Sequence, residues 1–502
     1  MAFGDFQTPD EFARECCAIL AARGLVPASI LEPTCGRGSF LNAAIHAFPN
    51  AAKVIGFDIN PEHLEIARER MARFVYKREI AINQGDFFDI DWKAIIHKLP
   101  EPLLIVGNPP WVTNSDLGSL GSANLPKKSN FQNHKGIDAI TGKSNFDISE
   151  WMLLRSFEWS NGRDASVAVL CKTAVARKVL SHAWNRGFAI AQADVYRFDA
   201  QKHFGAAVDA CFLVVVFAPG QQNQDCFVHN SLREETISGI FGFRDDQLIA
   251  DITKYNAWKH LKGDASFVWR SGIKHDCAAV FELYRENNSF RNGLGELAEL
   301  EWGYLFPMLK SSEVASDGEI HPKRWMLVPQ KSISEGTQTI KHIAPMTWQY
   351  LIQHASLLDR RASSIYKGRP RFSIFGVGDY SFSPWKVGVS GFYKKLKFRV
   401  IGPFQDKPVV LDDTCYFLAC ENKSEAVAIA ELLNSEVAKD FFSAFLFWDT
   451  KRPITLELLR QLDLIQLARQ SGVGNQVMQI LQRMRAPQTH ANQQMLFRES
   501  EH

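Results

Sequence analysis

Four consecutive residues directly after an apolar run, Asn108-Pro109-Pro110-Trp111, could carry out chemistry on an amine. An amine conjugated to an aromatic ring, or an amide nitrogen, is a poor nucleophile because its lone pair is delocalised. The Asn108 side-chain oxygen and the Pro109 carbonyl could accept hydrogen bonds from such a group and localise the lone pair for attack on an activated methyl group. Successive prolines make the turn rigid, and Trp111 offers a flat face for a planar substrate.

A glycine-containing loop, Glu32-Pro33-Thr34-Cys35-Gly36-Arg37-Gly38, follows the first apolar run and leads into a helical stretch. The two glycines allow the backbone to approach a ligand closely, but Leu41 leaves the dinucleotide-binding fingerprint incomplete. Asp58 ends the second apolar run, where a carboxylate can accept hydrogen bonds from ribose hydroxyls. Together the loop and Asp58, with its neighbour Ile59, predict a nucleoside-bearing cofactor.

A third acidic residue, Asp86, ends the third apolar run in Gly85-Asp86-Phe87-Phe88. Its carboxylate could accept a hydrogen bond from an adenine amino group, with Phe87 beside the ring. The alternative, that Asp86 only caps a helix, remains open. Helix capping is a frequent role of aspartate.

Short apolar runs rich in β-formers alternate with helical stretches from residue 29 to about 217. This alternation predicts a parallel α/β sheet with helices on both faces. The predicted helices include 39–47 and 61–74, the second with Asn60 as N-cap and Pro61 at its first position. The predicted strands are 29–31, 53–57, 80–82, 103–106, 166–170 and 211–216.

The alternation is lost after about residue 250, and the length of 502 residues favours two or three domains. We predict a catalytic domain at 1–250, a second, mixed α+β domain at 251–485 and a flexible tail at 486–502. Expected elements of the second domain are strands 397–403 and 407–411 and helices 424–442 and 456–462.

A basic segment, residues 360–407, contains eleven Lys or Arg and two acidic residues, a net charge of +9 in a chain whose total is +2. The charges are interleaved with aromatic residues, a pattern that suits a polyanion partner. A solvated surface with no partner is the alternative. The candidate contacts to nucleic acid are Arg369, Arg371, Lys386, Lys394, Lys395, Lys397 and Arg399.

Composition excludes several classes of protein. The longest strongly apolar run, 210–218, has nine residues, too few to span a bilayer, and the N-terminus carries no export signal. The nine cysteines lack spacing typical of zinc sites, so we expect reduced core thiols, no metal and a cytoplasmic location.

The motifs resemble those of a known family. The 108–111 turn, the 32–38 loop, Asp58 and Asp86 resemble motifs IV, I, II and III of the gamma-class, TaqI-like adenine-N6 DNA methyltransferases. Phe6-Gln7-Thr8-Pro9 resembles motif X, which caps the methionine end of S-adenosylmethionine. Phe204 lies where that family has an aromatic residue over the other face of the target base.

The resemblance implies a Rossmann-like methyltransferase domain followed by a domain that recognises double-stranded DNA. It implies S-adenosylmethionine as cofactor, a flipped adenine as target and a restriction-modification system, with any endonuclease on a separate chain and the enzyme a monomer on DNA. The departures are Trp111, where the family often has Tyr, and a long insertion at 112–145. Residues 144–147 fall near motif V.

Other functions remain open on the sequence alone. A protein glutamine or RNA adenine methyltransferase could use the same 108–111 turn, and cytosine N4 is a further possible target. A cofactor-binding module without catalysis would predict a degraded turn, whereas this turn is intact.

Overall fold

The structure is a computed structural model that describes residues 7–75, 78–111, 147–234, 236–263 and 267–484. The insertion at 112–145 and the tail at 486–502, both predicted from the sequence, lie outside these residues. The chain divides into two compact units, Met1–Ile252 and Thr253–His502.

The first unit is built on a sheet with the strand order β10-β9-β8-β6-β7-β5-β4-β1-β2-β3 in its described part. Strands β3, β2, β1, β4 and β5 are parallel, and β7 is antiparallel to both β5 and β6. This Rossmann-like arrangement confirms the predicted fold class. The strands are β1 (Ser29–Glu32), β2 (Lys53–Asp58), β3 (Glu79–Gln84), β4 (Leu103–Gly107), β5 (Ala165–Lys172), β6 (Ile190–Asp199), β7 (Asp209–Phe217), β8 (Asp225–His229), β9 (Ile237–Arg244) and β10 (Gln247–Ile249).

Helices connect these strands and pack against the sheet. The predicted cap is present, since the Asn60 side chain accepts a hydrogen bond from Glu62 N at 3.0 Å and Pro61 begins the helix. That helix ends at Ala72, two residues before the predicted end. The helices of the first unit are Asp10–Ala22, Ser39–Ala47, Pro61–Ala72, Trp92–Ile96, Ile148–Ser160, Thr173–Asn185 and Ala200–Phe204, and Ile252–Trp258 crosses the division between the units.

Strand β6 was not predicted, because polar residues interrupt its apolar pattern. Asp194 is nevertheless buried in this strand. It binds Arg23 Nη2 at 2.6 Å and His229 Nε2 at 3.1 Å, partners that are 171 and 35 residues away in the chain. A buried acid with such distant partners gives no strand signal in the local sequence.

The second unit contains mainly antiparallel sheets, with the orders β11-β20-β17-β18 and β14-β13-β12-β16-β15-β19 among its described residues. Its mixture of short helices and strands confirms the predicted α+β class. The strands are β11 (Arg270–Ser271), β12 (Glu282–Glu286), β13 (Ser289–Arg291), β14 (Leu297–Ala298), β15 (Leu305–Leu309), β16 (Arg324–Leu327), β17 (Trp385–Ser390), β18 (Arg399–Ile401), β19 (Val410–Leu411) and β20 (Cys415–Cys420).

The helices of the second unit are Ala278–Phe281, Ser311–Ala315, Ile340–Ile343, Pro345–Gln353, Ala355–Leu358, Lys423–Leu433, Glu436–Ser443, Leu456–Arg460, Leu464–Gln470 and Asn475–Met484. Short 3-10 turns occur at Lys259–Leu261, Trp302–Tyr304, Thr337–Thr339, Ser364–Tyr366 and Asp379–Phe382. In the parts of the chain that the structure describes, no helix is long and apolar enough to cross a membrane.

The prediction of one helix over 424–442 was wrong, because the helix is interrupted at Asn434 and Ser435. The Ser435 side chain caps a new helix by accepting from Ala438 N at 3.3 Å. The Asn434 side chain turns away to Phe398, accepting from its N at 3.0 Å and donating to its O at 2.8 Å. Residues that can cap a helix therefore divide a continuous apolar pattern in two.

Candidate functional site

A cavity of about 150 Å³ lies at the carboxyl ends of the parallel strands β1 to β4 of the first unit. Ligands of open α/β sheets bind at this edge. The lining residues that the sequence predicted for the cofactor are Thr8, Glu32, Thr34, Cys35, Gly36, Asp58, Ile59, Asp86, Phe87 and Asn108.

The 32–38 loop and Asp58 form one hydrogen-bonded unit in the cavity wall. Gly36 has φ +50°, and its N–H donates to Asp58 Oδ2 at 2.8 Å. The other oxygen, Oδ1, accepts from Asn60 N at 2.9 Å. Two main-chain N–H groups therefore fix the carboxylate. Each of its oxygens can still accept a further hydrogen bond. The contact of this unit with a ribose diol stays a prediction.

Gln7 and Thr8 lie across the glycine loop and reach the 108–111 turn. Gln7 Oε1 accepts from Arg37 N at 3.1 Å, and it would be 2.9 Å from a Cβ placed on Gly36. Asn108 Nδ2 donates to Thr8 Oγ1 at 3.3 Å. This contact orients the Asn108 amide with its nitrogen toward Thr8, which turns the amide oxygen to the opposite side.

Glu32 is a buried acid beneath the cavity. Burial raises its pKa well above the ordinary value, the hydrogen bond from Leu41 N opposes this rise, and the Asp58 carboxylate adds to it. Burial therefore favours the protonated form of Glu32. Its side chain would lie 3.1 Å from a Cβ on Gly107, so it supports the end of β4 from which Asn108 projects.

Asp86 and Phe87 line the cavity but are also engaged in local structure. Asp86 Oδ1 accepts from Phe88 N at 2.9 Å, so the carboxylate caps a turn rather than the helix considered as the alternative from the sequence. Phe87 is buried against Trp92 and Trp159, with ring centroids at 5.1 and 5.7 Å. Their proposed contacts to an adenine ring stay predictions.

The structure brings Asn108, Pro109 and Pro110 to the cavity wall, with Trp111 behind them. Trp111 is 6% exposed, and its Nε1–H donates to Leu170 O at 3.4 Å. Phe204 contacts it edge to face, with ring centroids 5.4 Å apart and an interplanar angle of 63°. The two rings touch, so they do not form the open slot for a base that the sequence interpretation required. One ring has to move before a base can enter.

Two predicted cofactor residues, Pro9 and Gly38, are not among the described residues that line the cavity. Pro9 instead precedes the helix Asp10–Ala22, and Gly38 precedes Ser39–Ala47 with φ +78°. The helix that follows Gly38 contributes Ser39 and Phe40 to the cavity lining.

Sequence reasoning missed several lining residues. Gln7, Pro33, Gly85 and Phe88 lie in segments that the sequence analysis singled out, whereas His63, Ile148 and Met152 have no residue type or spacing that marks them. Ile148 and Met152 are one helical turn apart and reach the cavity only because their helix packs beside it. The missed residues are Gln7, Pro33, Ser39, Phe40, Asn60, His63, Gly85, Phe88, Ile148 and Met152.

We expect Gly38→Ala to destabilise the first unit more than Gly24→Ala does. Both glycines have φ +78°, so alanine at either position costs roughly 1–2 kcal/mol of backbone strain. At Gly24 nothing lies within 4 Å of the added Cβ, but at Gly38 it meets Ala67 Cβ at 3.2 Å. Overpacking should add about 1 kcal/mol or more and weaken cofactor binding. Urea unfolding measures the free energy of unfolding, and calorimetric titration measures the affinity for the cofactor. Equal losses of unfolding free energy in the two variants would contradict the role of the Ala67 contact.

The candidate DNA contacts lie in the second unit, and several are engaged within it. Lys395 and Lys397 bind Asp317 at 2.6 and 2.8 Å, and these hydrogen bonds lower the pKa of Asp317 to about 2. Arg371 pairs with Asp359 at 2.7 Å.

The remaining candidates of the basic segment differ in how far they reach solvent. Arg399 donates to the carbonyls of Ser316 and Gly318, whereas Arg369 and Lys394 are exposed. The effective positive charge of the segment is therefore smaller than its composition suggests.

Lys386 corrects the sequence prediction, because it cannot contact DNA from this position. Its side chain is 1% exposed within strand β17, and Nζ donates to Ser383 O at 2.6 Å. Burial lowers its pKa to about 7, and the nearby Cys420 thiol opposes this shift slightly. A charge count along the sequence cannot separate a lysine that faces the core from one that faces solvent.

Comparison with known proteins gives both sequence and fold relatives. A family model described as a methyltransferase domain matches residues 27–98. The type II methyltransferase M.NspV of Nostoc sp. is 46% identical over 470 residues, covering 93% of this chain and 98% of that protein. The release factor glutamine methyltransferase of Vibrio cholerae is 31% identical over 106 residues, 21% of this chain and 35% of that protein.

A solved structure shares the fold over almost the whole chain. The type IIL restriction-modification enzyme MmeI in complex with DNA matches with a TM-score of 0.51, covering 98% of this chain and 75% of that one. The sequence identity is 13%, so this likeness is one of fold alone.

Proposed function

The chain belongs to the type II DNA methyltransferases and uses S-adenosylmethionine, and on that premise we propose that it methylates N6 of an adenine in a short double-stranded DNA sequence. One observation carries the proposal. The 108–111 turn, with its amine-polarising acceptors, lines the same cavity as the Gly36–Asp58 unit, which fits a nucleoside. The order of the motifs along the chain supports assignment to the gamma class.

In this proposal Asp58 would hold the ribose of the cofactor, and Ile59, Asp86 and Phe87 would hold its adenine. Gln7 and Thr8 would hold the methionine end. When bound, S-adenosylmethionine supplies a methyl group already activated by its sulfonium, so no metal ion is required.

Asn108 Oδ1 and the Pro109 carbonyl accept the two N–H groups of the target amine and localise its lone pair. The Thr8 contact to Nδ2 supports this role, because it directs the amide oxygen away from Thr8. Asparagine rather than serine at the first position of the turn favours adenine over cytosine. The attack forms the bond between N6 and the methyl carbon as the bond between sulfur and the methyl carbon breaks, with S-adenosylhomocysteine as the leaving group. The methylated amine then loses its extra proton to water.

The target adenine has to leave the helix to reach this cavity, which costs a few kcal/mol of unpairing and unstacking. Stacking on Trp111 and Phe204 would offset that cost. The second unit would read the DNA sequence, with exposed Arg369 and Lys394 among its phosphate contacts. We propose that the enzyme acts as a monomer on DNA and that any endonuclease is a separate chain.

We expect Phe204→Ala to weaken retention of the flipped base by about 1–3 kcal/mol, the usual value of one base–aromatic stack. A 2-aminopurine placed at the target position should show a smaller fluorescence increase on binding than with the wild-type enzyme. Phe74→Ala is the matched control, since Phe74 is also half-buried in the first unit and its ring contacts His46 and Arg73, away from the described lining of the cavity. Equal signals from both variants would argue against a stacking role for Phe204.

Methylation of a protein glutamine or of RNA adenine is not favoured. The glutamine methyltransferase relative matches about a fifth of this chain, whereas M.NspV matches 93% of it. The second unit, with its exposed basic and aromatic residues, has no evident role in amide methylation.

The proposed function is tested by expressing the protein in a host that lacks adenine methylation and reading modified bases by single-molecule sequencing. We expect N6-methyladenine confined to one short sequence. N4-methylcytosine would correct the target base. Absence of any modified base, from protein that still binds S-adenosylmethionine, would overturn the proposal.

A further inference from the structure

The 108–111 turn is held at its far end by the last residues of β5. Main-chain pairing of β4 with β5 ends at Gly107 and Val169. Beyond that pair, Trp111 Nε1–H donates to Leu170 O and the Trp111 carbonyl accepts from Lys172 Nζ, both at 3.4 Å. Proline has no N–H, so Pro109 and Pro110 cannot continue the ladder with donors of their own. Side chains therefore hold the turn against β5.

Lys172 is itself held by a buried acid. Its Nζ lies 2.7 Å from Asp147 Oδ2, and the side chains are 24% and 8% exposed. The second oxygen of Asp147, Oδ1, accepts from Ser149 N at 3.0 Å and from Ser149 Oγ at 2.5 Å. Charge-assisted bonds of this kind are short and directional. The carboxylate thus has a fixed position from which it orients the lysine.

Asp147 also connects the turn to the cofactor cavity. It is the N-cap of the helix Ile148–Ser160, whose residues Ile148 and Met152 line the cavity. A continuous path of contacts therefore runs from the cavity wall through Asp147 and Lys172 to the carbonyl of Trp111.

We propose that Lys172 and Asp147 are positioning residues that fix the 108–111 turn, and through it Asn108, relative to the bound cofactor. The inference rests on the proposed role of that turn in methyl transfer. The lysine supplies the donor that a proline-rich turn lacks, and the aspartate determines where that donor points. Neither residue is assigned a contact with the target base.

The test is to compare Lys172→Met with Lys178→Met. Lys178 forms a similar ion pair, at 3.1 Å, with the buried Glu150 of the helix Ile148–Ser160. Lys178 itself is on the helix Thr173–Asn185, away from the turn. Small misplacement of reacting groups costs up to roughly 100-fold in rate. We expect Lys172→Met to lower kcat by about 10- to 100-fold, with little change in KM for either substrate, and Lys178→Met to leave kcat close to that of the wild type.

Two further variants keep the inference testable if Lys172→Met does not fold. Asp147→Asn retains an acceptor for the helix cap but loses the charge, and it should also lower kcat. Lys172→Arg retains the charged donor and should recover part of the activity. Calorimetric binding of S-adenosylmethionine checks the fold of each variant.

Several outcomes would overturn the inference. Equal kcat values for Lys172→Met and Lys178→Met would mean that the ion pair between Lys172 and Asp147 has only a structural role. A raised KM for DNA with unchanged kcat would assign Lys172 to phosphate binding instead. A wild-type enzyme that methylates a base other than adenine would refute the proposed target but leave the effect of Lys172 on kcat to be measured, so the two failures are distinguishable.

Discussion

Replacing Asn108 with alanine is expected to lower kcat for methyl transfer by roughly 10²–10³-fold, the usual effect of removing one preorganised group that stabilises developing charge. Without the amide oxygen, the target amine keeps its lone pair delocalised and loses one of two acceptors. DNA binding and cofactor binding should change little, because other residues provide most of their contacts. Single-turnover methylation, gel-shift titration and calorimetry measure the three quantities separately.

Asn42→Ala is the matched control for Asn108→Ala. Asn42 belongs to the same unit, and its Oδ1 accepts from Arg73 Nη2 at 2.9 Å, away from the described lining of the cavity. We expect near wild-type turnover for this variant. Near-normal turnover of Asn108→Ala as well would remove the catalytic role assigned to Asn108.

Lys386→Met is expected to stabilise the second unit at neutral pH. Burial lowers the pKa of Lys386 from its ordinary value of 10.5 to about 7. A shift of this size corresponds to ~5 kcal/mol of unfavourable free energy when the group must be charged. Methionine has a similar length and carries no charge, so it should relieve most of that cost, less the hydrogen bond to Ser383 O.

The pH dependence of this effect has a definite sign. Between pH 7 and 10.5 the unfolded chain binds the Lys386 proton and the folded chain does not, so wild-type stability rises with pH across this window. The advantage of methionine should therefore shrink by about 3 kcal/mol between pH 7 and pH 9.5. Urea unfolding at both pH values measures it.

Lys394→Met serves as the control for Lys386→Met, because Lys394 is exposed and should change stability little at either pH. A stability difference between Lys386→Met and wild type that stays constant with pH would mean that Lys386 is charged in the folded protein. Such a result would contradict the lowered pKa of Lys386 but not its burial.

The predicted strands of the first unit lie at or within one or two residues of their observed positions, because the central strands β1, β4 and β5 are buried and leave continuous apolar runs in the sequence. The same reasoning failed for β6, whose buried Asp194 depends on Arg23 and His229 from distant segments. It also failed at Asn434 and Ser435, where capping side chains outweigh an apolar helical pattern.

The position of the cavity and about half of its lining residues could be predicted from the sequence alone. Parallel strands bring the residues after each strand to a common edge, so the 32–38 loop, Asp58, Asp86 and Asn108 had to meet there. Local residue type was sufficient because each of these residues directly follows or ends a strand.

The availability of charged and aromatic side chains for a partner depends on the tertiary structure. It buried Lys386, paired Lys395 and Lys397 with Asp317, and brought Phe204 edge to face with Trp111. It also joined Asp147 and Lys172, which are 25 residues apart, at the turn. Burial and long-range pairing depend on how separate segments pack together, and no local sequence pattern encodes that packing.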